Sequence, residues 1–215
     1  MLIVSDLWKS YPVTDRERWV LRGLNATFRK GDAVGILGRN GAGKSTLIRL
    51  LAGIESPTRG VVRREMSISW PLGFGGAVHP AITGADNCRF IARIYGKSPS
   101  WVESFVEEFA ELGEYFRMPV ETYSSGMQSR LAFGLSMAID FDCYLIDEVI
   151  AVGDARFTER CRIALEERRK RSALLMVSHH SSILKAFCDT AAILHEGRLT
   201  FHEDLDEAIA IYNGL

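Results

Sequence analysis

The stretch "GRNGAGKST", Gly38 to Thr46, satisfies G-x-x-x-x-G-K-[ST] at Gly38, Gly43, Lys44 and Ser45, with a further glycine at Gly41. Small residues through Asn40, Gly41, Ala42 and Gly43 let successive backbone N–H groups turn inward around phosphate oxygens, at the start of a helix running through Thr46. In that pattern the Lys44 ammonium reaches the β- and γ-phosphates of a nucleotide and the Ser45 hydroxyl ligates Mg²⁺. A second stretch, "FDCYLIDEV", is an apolar run that ends in Asp147 and is followed by Glu148. A doubly wound sheet places ligands at the carboxyl ends of its strands. There Asp147 would hold Mg²⁺ through its water shell, while Glu148 would orient and polarise an attacking water. The bland alternatives are a chance glycine turn and an acidic strand end paired with a surface lysine. Together the two motifs imply ATP hydrolysis rather than binding alone.

These side chains need a strand, a loop and a helix in that order. "AVGIL", Ala33 to Leu37, is apolar apart from its glycine, as in a strand covered on both faces. After the loop, Leu47, Ile48, Leu50 and Leu51 in "KSTLIRLLAG" fit a helix ending at Gly53. Residues 2–8 and 19–28 read as strands, whereas 54–82 is turn-rich and takes no clear period. "TGADNCRFIARIYG" and "SPSWVESFVEEFAELGEYF" read as helices opened by a Ser or Thr N-cap, and a third helix follows Ser125. Then come the strand "CYLID", a charged helix "FTERCRIALEERRKR", the strand "ALLMVS" and a final strand–turn–strand–helix. The 215 residues, 47% hydrophobic, suit one well-cored unit with a subdomain inserted.

Bulk properties narrow the classes further. With 26 Lys+Arg against 27 Asp+Glu, the net charge of −1 gives no reason to expect nucleic acid or an acidic lipid surface. Cys88, Cys143, Cys161 and Cys188 are widely spaced without a CxxC pair, which points to reduced, buried thiols. The N-terminus lacks a signal-peptide pattern, and apolar runs such as "LAFGLSMAI" are too short to span a bilayer. The expectation is a cytosolic chain.

One stretch remains, "TYSSGMQSRLAF", a second small-residue turn feeding a helix. As a bare N-cap it would be structural. Beside the two motifs above, Tyr123-Ser124-Ser125-Gly126-Met127-Gln128 looks like a variant of the LSGGQ signature, and the chain resembles the ATP-binding-cassette (ABC) family over essentially its entire length. That resemblance implies a RecA-like P-loop α/β core with an antiparallel β subdomain and a helical subdomain inserted at about 83–138, all within one domain. It implies that Ser124 and Gly126 meet the γ-phosphate bound to a second copy of the chain, so that a homodimer holds two ATP. It assigns His179 in "MVSHH" to the switch histidine and Asp154 in "AVGD" to the D-loop aspartate at the dimer interface. Tyr11 fits the aromatic that stacks on adenine, although Trp8 is near and an edge-strand core role is open for either.

The departures from the family pattern point to a subfamily. Gln128 is the only glutamine, so the glutamine that the family places after its first β-rich segment is missing. "WPLGFGGAVHP" occupies that slot, with His79 or a backbone group as substitutes. "YSSGM", "DEVIAVGDARF" with Val149 where proline is commoner, and "ISWPLGFGGA" resemble the ATPases of bacterial polysaccharide exporters, the capsule branch in particular. Ending at Leu215, the sequence leaves no room for the carbohydrate-binding domain that some O-antigen exporters append. The resemblance thus implies a peripheral ATPase on the cytoplasmic face of the inner membrane. It would work with a polytopic permease and with periplasmic and outer-membrane export components. O-antigen or teichoic-acid export is the nearest alternative. A soluble ABC ATPase acting on DNA or ribosomes would bring tandem cassettes or basic surfaces, and a GTPase an NKxD motif; neither is visible.

Overall fold

The computed structural model describes residues 1–14, 16–72, 78–147, 154–178 and 180–215. It divides into two compact units, Met1–Pro71 with Phe141–Glu148 and Glu166–Leu215, and Leu72–Asp140 with Val149–Leu165.

The first unit contains two sheets. β1 (Leu2–Val13) lies between β2 (Arg16–Phe28) and β4 (Arg59–Arg64) in an antiparallel three-stranded sheet. The second sheet has the order β5-β6-β3-β7-β8, built from β3 (Ala33–Leu37), β5 (Cys143–Asp147), β6 (Ala173–Val177), β7 (Thr190–His195) and β8 (Arg198–His202). Its first four strands are parallel and β8 is antiparallel. Every residue of β3 and β6 is buried, which is why both sequences are apolar without alternation. Leu2, Leu7, Leu21, Leu24 and Phe28 of the antiparallel sheet join Ile36, Leu145, Leu175 and Leu194 of the parallel sheet in one core, with Leu47, Ile48 and Leu51 of α1 (Lys44–Ala52). The α/β expectation with an antiparallel β subdomain is met.

Helix α1 stops at Gly53, whose left-handed φ of 81° frees the chain to turn, and the Arg64 guanidinium donates to the Leu50 and Leu51 carbonyls left at that end. β4 was not expected within the turn-rich 54–82 segment. Its sequence RGVVRR is mostly solvent-exposed, so the apolar signal is diluted by arginine. At Gly60 a Cβ would fall 2.0 Å from the Asp6 carbonyl oxygen, so only glycine permits this approach of β4 to β1. α6 (Ser181–Phe187) also escaped the sequence reading, being two turns long, and α7 (Leu205–Asn213) is the expected last helix.

The second unit is helical. α2 (Gly84–Ile94) and α3 (Pro99–Ala110) begin at Thr83 and Ser98, whose hydroxyls accept from Asp86 and Trp101 N–H as expected. α3 ends six residues before Phe116, because Glu111 and Gly113 take left-handed φ of 50° and 57° and a 3₁₀ turn follows over Gly113–Arg117. α4 (Ser125–Ala138) packs Phe133 on Phe109 of α3, in a stack that continues through Phe105 to Trp101. Phe157, in the opening turn of α5 (Ala155–Arg169), meets both Phe109 and Phe133 edge-on.

Candidate nucleotide site

The loop after β3 closes around its own lysine. Lys44 Nζ donates to the Gly38 carbonyl at 2.6 Å and to the Arg39 carbonyl at 3.3 Å, and the residue is only 7% exposed. Gly41 and Gly43 have φ of 79° and 106°, and a Cβ on Gly43 would sit 2.7 Å from Val20 Cγ1, so both glycines are required by the turn. Gly43, the residue before α1, has no side chain to cap it, no side chain among the described residues accepts the first N–H groups of the helix, and its first turn carries no acidic residue. Those donors, the helix dipole and the Lys44 ammonium make a donor set suited to a polyphosphate. Ser45 is exposed beside them.

A cleft of about 460 Å³ opens here, lined by Asn40, Gly41, Gly43, Lys44, Ser45 and Thr46 on the loop side and by Tyr11, Val13, Arg18 and Val20 on the β1–β2 side. Tyr11 is half-buried, and its hydroxyl donates to Glu55 Oε2 at 2.6 Å. Gly38 and Ala42 belong to the same loop; a Cβ on Gly38 would lie 2.7 Å from the Leu194 carbonyl oxygen, so the loop leaves its strand against backbone.

The strand register places the acidic end of β5. Ile36 of β3 pairs with Val177 of β6, and Val177 pairs with Asp147, so the three lie in one row across the parallel sheet. Two strand spacings put the Asp147 backbone about 10 Å from that of Ile36, two residues before the phosphate loop begins. Asp147 is half-buried at the carboxyl edge of the sheet, where a metal ion on a nucleotide bound to the loop would be within reach of a water-bridged carboxylate. Glu148, the proposed base, and His179, the proposed switch, lie outside the described residues. Ser178 immediately precedes His179 and is buried, its Oγ accepting from His180 N–H at 3.0 Å.

In the second unit, Ser124 caps α4, with Oγ accepting from Met127 N–H at 3.3 Å. Ser124 and Ser125 are exposed, and among the described residues a Cβ on Gly126 would meet Ser124 Oγ at 3.9 Å and no other side chain within 4 Å. Tyr123 is buried and donates to the Tyr115 carbonyl at 2.6 Å, which anchors the turn from below. Asp154 caps α5 by accepting from Phe157 N–H at 2.9 Å and also takes Arg130 Nη2 at 2.9 Å. The Phe157 N–H and then Arg130 hold its carboxyl below the usual aspartate range. His79 is exposed and its Nδ1 accepts from Ala81 N–H; residues 73–77 of the "WPLGFGGAVHP" segment lie outside the described residues.

A family profile for the ABC transporter matches residues 21–151. This chain belongs to the ABC transporter family. The capsule polysaccharide export ATP-binding protein CtrD of Neisseria meningitidis serogroup B is 52% identical over 215 residues, covering 100% of both chains. The ATP-binding protein BexA of Haemophilus influenzae is 52% identical over 99% of this chain and 98% of its own. The O-antigen export system ATP-binding protein RfbB of Klebsiella pneumoniae is more distant, 36% identical over 92% of this chain and 82% of its own. Among solved structures, the ATP-binding cassette MJ0796, dimeric in a post-hydrolysis state with ADP and Pi, superposes with a TM-score of 0.81 over 94% of this chain and 98% of its own, at 18% identity. That likeness establishes the cassette fold.

Some cleft residues of the cassette were not found from sequence. Arg18 reaches the cleft because β1 and β2 pair Tyr11 with Arg18, a register that no local motif announces. Val13 and Val20 line it for the same reason. Glu55 is placed by the turn that ends α1, whose Ile54 and Glu55 N–H groups both donate to the Arg49 carbonyl. Its one sequence signal was its position two residues after the Gly53 stop.

Proposed function

We propose that this chain is the ATP-hydrolysing subunit of an exporter of capsular polysaccharide, acting as a homodimer against a polytopic permease on the cytoplasmic face of the bacterial inner membrane. The observation that carries this reading is the 52% identity over full length to ATP-binding proteins of which one is named for capsule polysaccharide export. Among the described residues no helix is long and apolar enough to cross a membrane, in keeping with a peripheral ATPase whose translocation path belongs to another chain. The second unit exposes Phe90 (55%) and Ile94 (57%) one helical turn apart on α2, and Trp101 (50%) at the start of α3, large apolar side chains of the kind that dock a partner. Periplasmic and outer-membrane components would complete the export path.

The residues divide the work as follows. Loop N–H groups from Gly38 to Thr46 and the Lys44 ammonium bind the β- and γ-phosphates, and Tyr11 stacks on adenine. Ser45 and Asp147 would hold Mg²⁺, which when bound offsets the charge of the phosphate oxygens. Glu148 accepts a proton from the attacking water, and His179 contacts the γ-phosphate. Ser124, Gly126 and Asp154 serve the nucleotide of the second copy, so loss of the γ-phosphate removes the ligand that both copies share and lets them separate. Neither nucleic acid nor a second cassette in the same chain is required.

Tagged Glu148→Gln protein, incubated with ATP and detergent-solubilised membranes of its own source, tests the assignment by mass spectrometry of what co-purifies. A polytopic membrane subunit encoded with capsule genes is the expected result. Recovery of ribosomes or DNA-associated proteins, with no membrane protein, would overturn the reading in favour of a soluble ABC ATPase.

A further inference from the structure

We infer that Glu55 is a positioning residue for nucleotide recognition: it fixes the ring of Tyr11 on the wall of the cleft, so that base affinity is set partly from the far end of helix α1. The inference rests on the reading that Tyr11 meets the adenine.

Glu55 draws three partners to one carboxylate. Its Oε2 accepts from the Tyr11 hydroxyl at 2.6 Å and lies 3.2 Å from Lys9 Nζ, while Oε1 accepts from Arg49 Nε at 2.5 Å. Glu55 and Lys9 are largely shielded from water, with side-chain exposures of 22% and 14%, and Arg49 is 32% exposed. Burial raises the cost of the carboxylate, but the hydrogen bonds from Tyr11, Arg49 and Lys9 outweigh it and hold the Glu55 pKa below the usual glutamate range, so the acceptor stays charged.

The same cluster holds the tyrosine from a second direction. The Lys9 ammonium lies 5.0 Å from the centre of the Tyr11 ring, and Lys9 also donates to the Ser56 carbonyl at 2.9 Å. The ring is therefore fixed at its hydroxyl by Glu55 and over its face by a lysine that Glu55 itself helps to hold. A free tyrosine on a strand would rotate about χ1 and χ2 and would have to be ordered each time a base bound against it. Here the ordering is done before binding.

The backbone explains why the acid sits at this position. α1 starts with Lys44 in the phosphate loop and ends with a left-handed glycine, and the turn after it brings Ile54 and Glu55 N–H onto the Arg49 carbonyl. Nine helical residues span about 14 Å. A single rigid element thus carries the phosphate-binding end and the brace for the base-binding wall, and their separation is fixed. Arg49 Nη2 and the Tyr11 hydroxyl each approach Thr46 Oγ1 at 3.4 Å, which closes the circuit back to the loop.

The test compares Tyr11→Ala, Tyr11→Phe, Glu55→Ala and the Tyr11→Ala/Glu55→Ala double variant by titration with ATP, ADP and inorganic triphosphate. Glu55→Ala and Tyr11→Phe should each weaken ATP and ADP by roughly 2- to 12-fold, the cost of ordering one side chain on binding. Neither should change triphosphate affinity, since triphosphate has no base to meet the ring. Glu55→Ala should add nothing in the Tyr11→Ala background. Glu55→Gln, which keeps an oxygen to accept from Tyr11, should recover part of the loss. If Tyr11→Ala leaves ATP affinity unchanged, the adenine reading itself fails and the inference fails with it. If Tyr11→Ala weakens ATP but Glu55→Ala does not, or weakens triphosphate equally, Glu55 has no role through Tyr11 and the inference alone is overturned.

Discussion

At Lys44 a buried ammonium is satisfied by two carbonyls of its own loop, which keeps it at the centre of the turn where phosphate oxygens would compete for it. Lys44→Ala removes that charge without removing the N–H groups around it. A charge-assisted hydrogen bond contributes about 1.5–3 kcal/mol, so ATP affinity should fall roughly 10- to 150-fold in a fluorescence titration with a nucleotide analogue. An unchanged dissociation constant would remove Lys44 from the site. The loop was legible in the sequence because its chemistry is written within nine consecutive residues, Gly38 to Thr46. Arg18 and Glu55 were not, since one arrives by a strand register and the other by a helix-ending turn. Ser124 takes a functional reading only beside the other motifs: alone it is an N-cap, and it does cap α4.

The strands that match their expected bounds most closely are those buried along nearly their whole length. β3 and β5 coincide with the apolar runs "AVGIL" and "CYLID", and α1, whose Leu47, Ile48, Leu50 and Leu51 face the core, stops at Gly53 as its pattern implies. β1 and β2 run beyond the expected 2–8 and 19–28, since their distal halves pair with each other through Ser10, Tyr11, Pro12 and their partners while facing the cleft and solvent. At the start of β5, Asp142 accepts from Lys30 Nζ at 2.7 Å and from Ser67 N–H and Oγ–H at 3.0 and 2.9 Å, pinning 67–69 beside the strand. Lys30 first and Ser67 next hold its pKa to about 2, below the ordinary 3.8. A depressed folded-state pKa contributes stability above the unfolded value that is lost as pH falls through the folded one, so the loss falls between about pH 4 and pH 2. With Asp142 a third exposed and Lys30 mostly exposed, about 1 kcal/mol is at stake. Asp142→Asn should flatten that interval of a urea-midpoint against pH curve; a parallel curve would deny the linkage. On α2, Phe90→Glu with Ile94→Glu should abolish recovery of the membrane subunit while ATP affinity stays within twofold. Retained recovery would move the docking surface elsewhere.

At the scale of the molecule, a near-neutral chain of 215 residues carries a nucleotide cleft in one unit and an exposed helix N-terminus bearing Ser124 and Gly126 in the other. In the proposed clamp each ATP lies between the loop of one copy and the Ser124 turn of its partner, so that neither copy has a complete site. The most direct measurement is the molar mass of Glu148→Gln protein by light scattering, with and without ATP and Mg²⁺, alongside Glu148→Gln/Ser124→Arg. Glu148→Gln should be monomeric without nucleotide and dimeric with it, and the added Ser124→Arg should return it to a monomer that still binds ATP. A Glu148→Gln protein that stays monomeric at saturating ATP and Mg²⁺, even beside its membrane partner, would contradict the clamp.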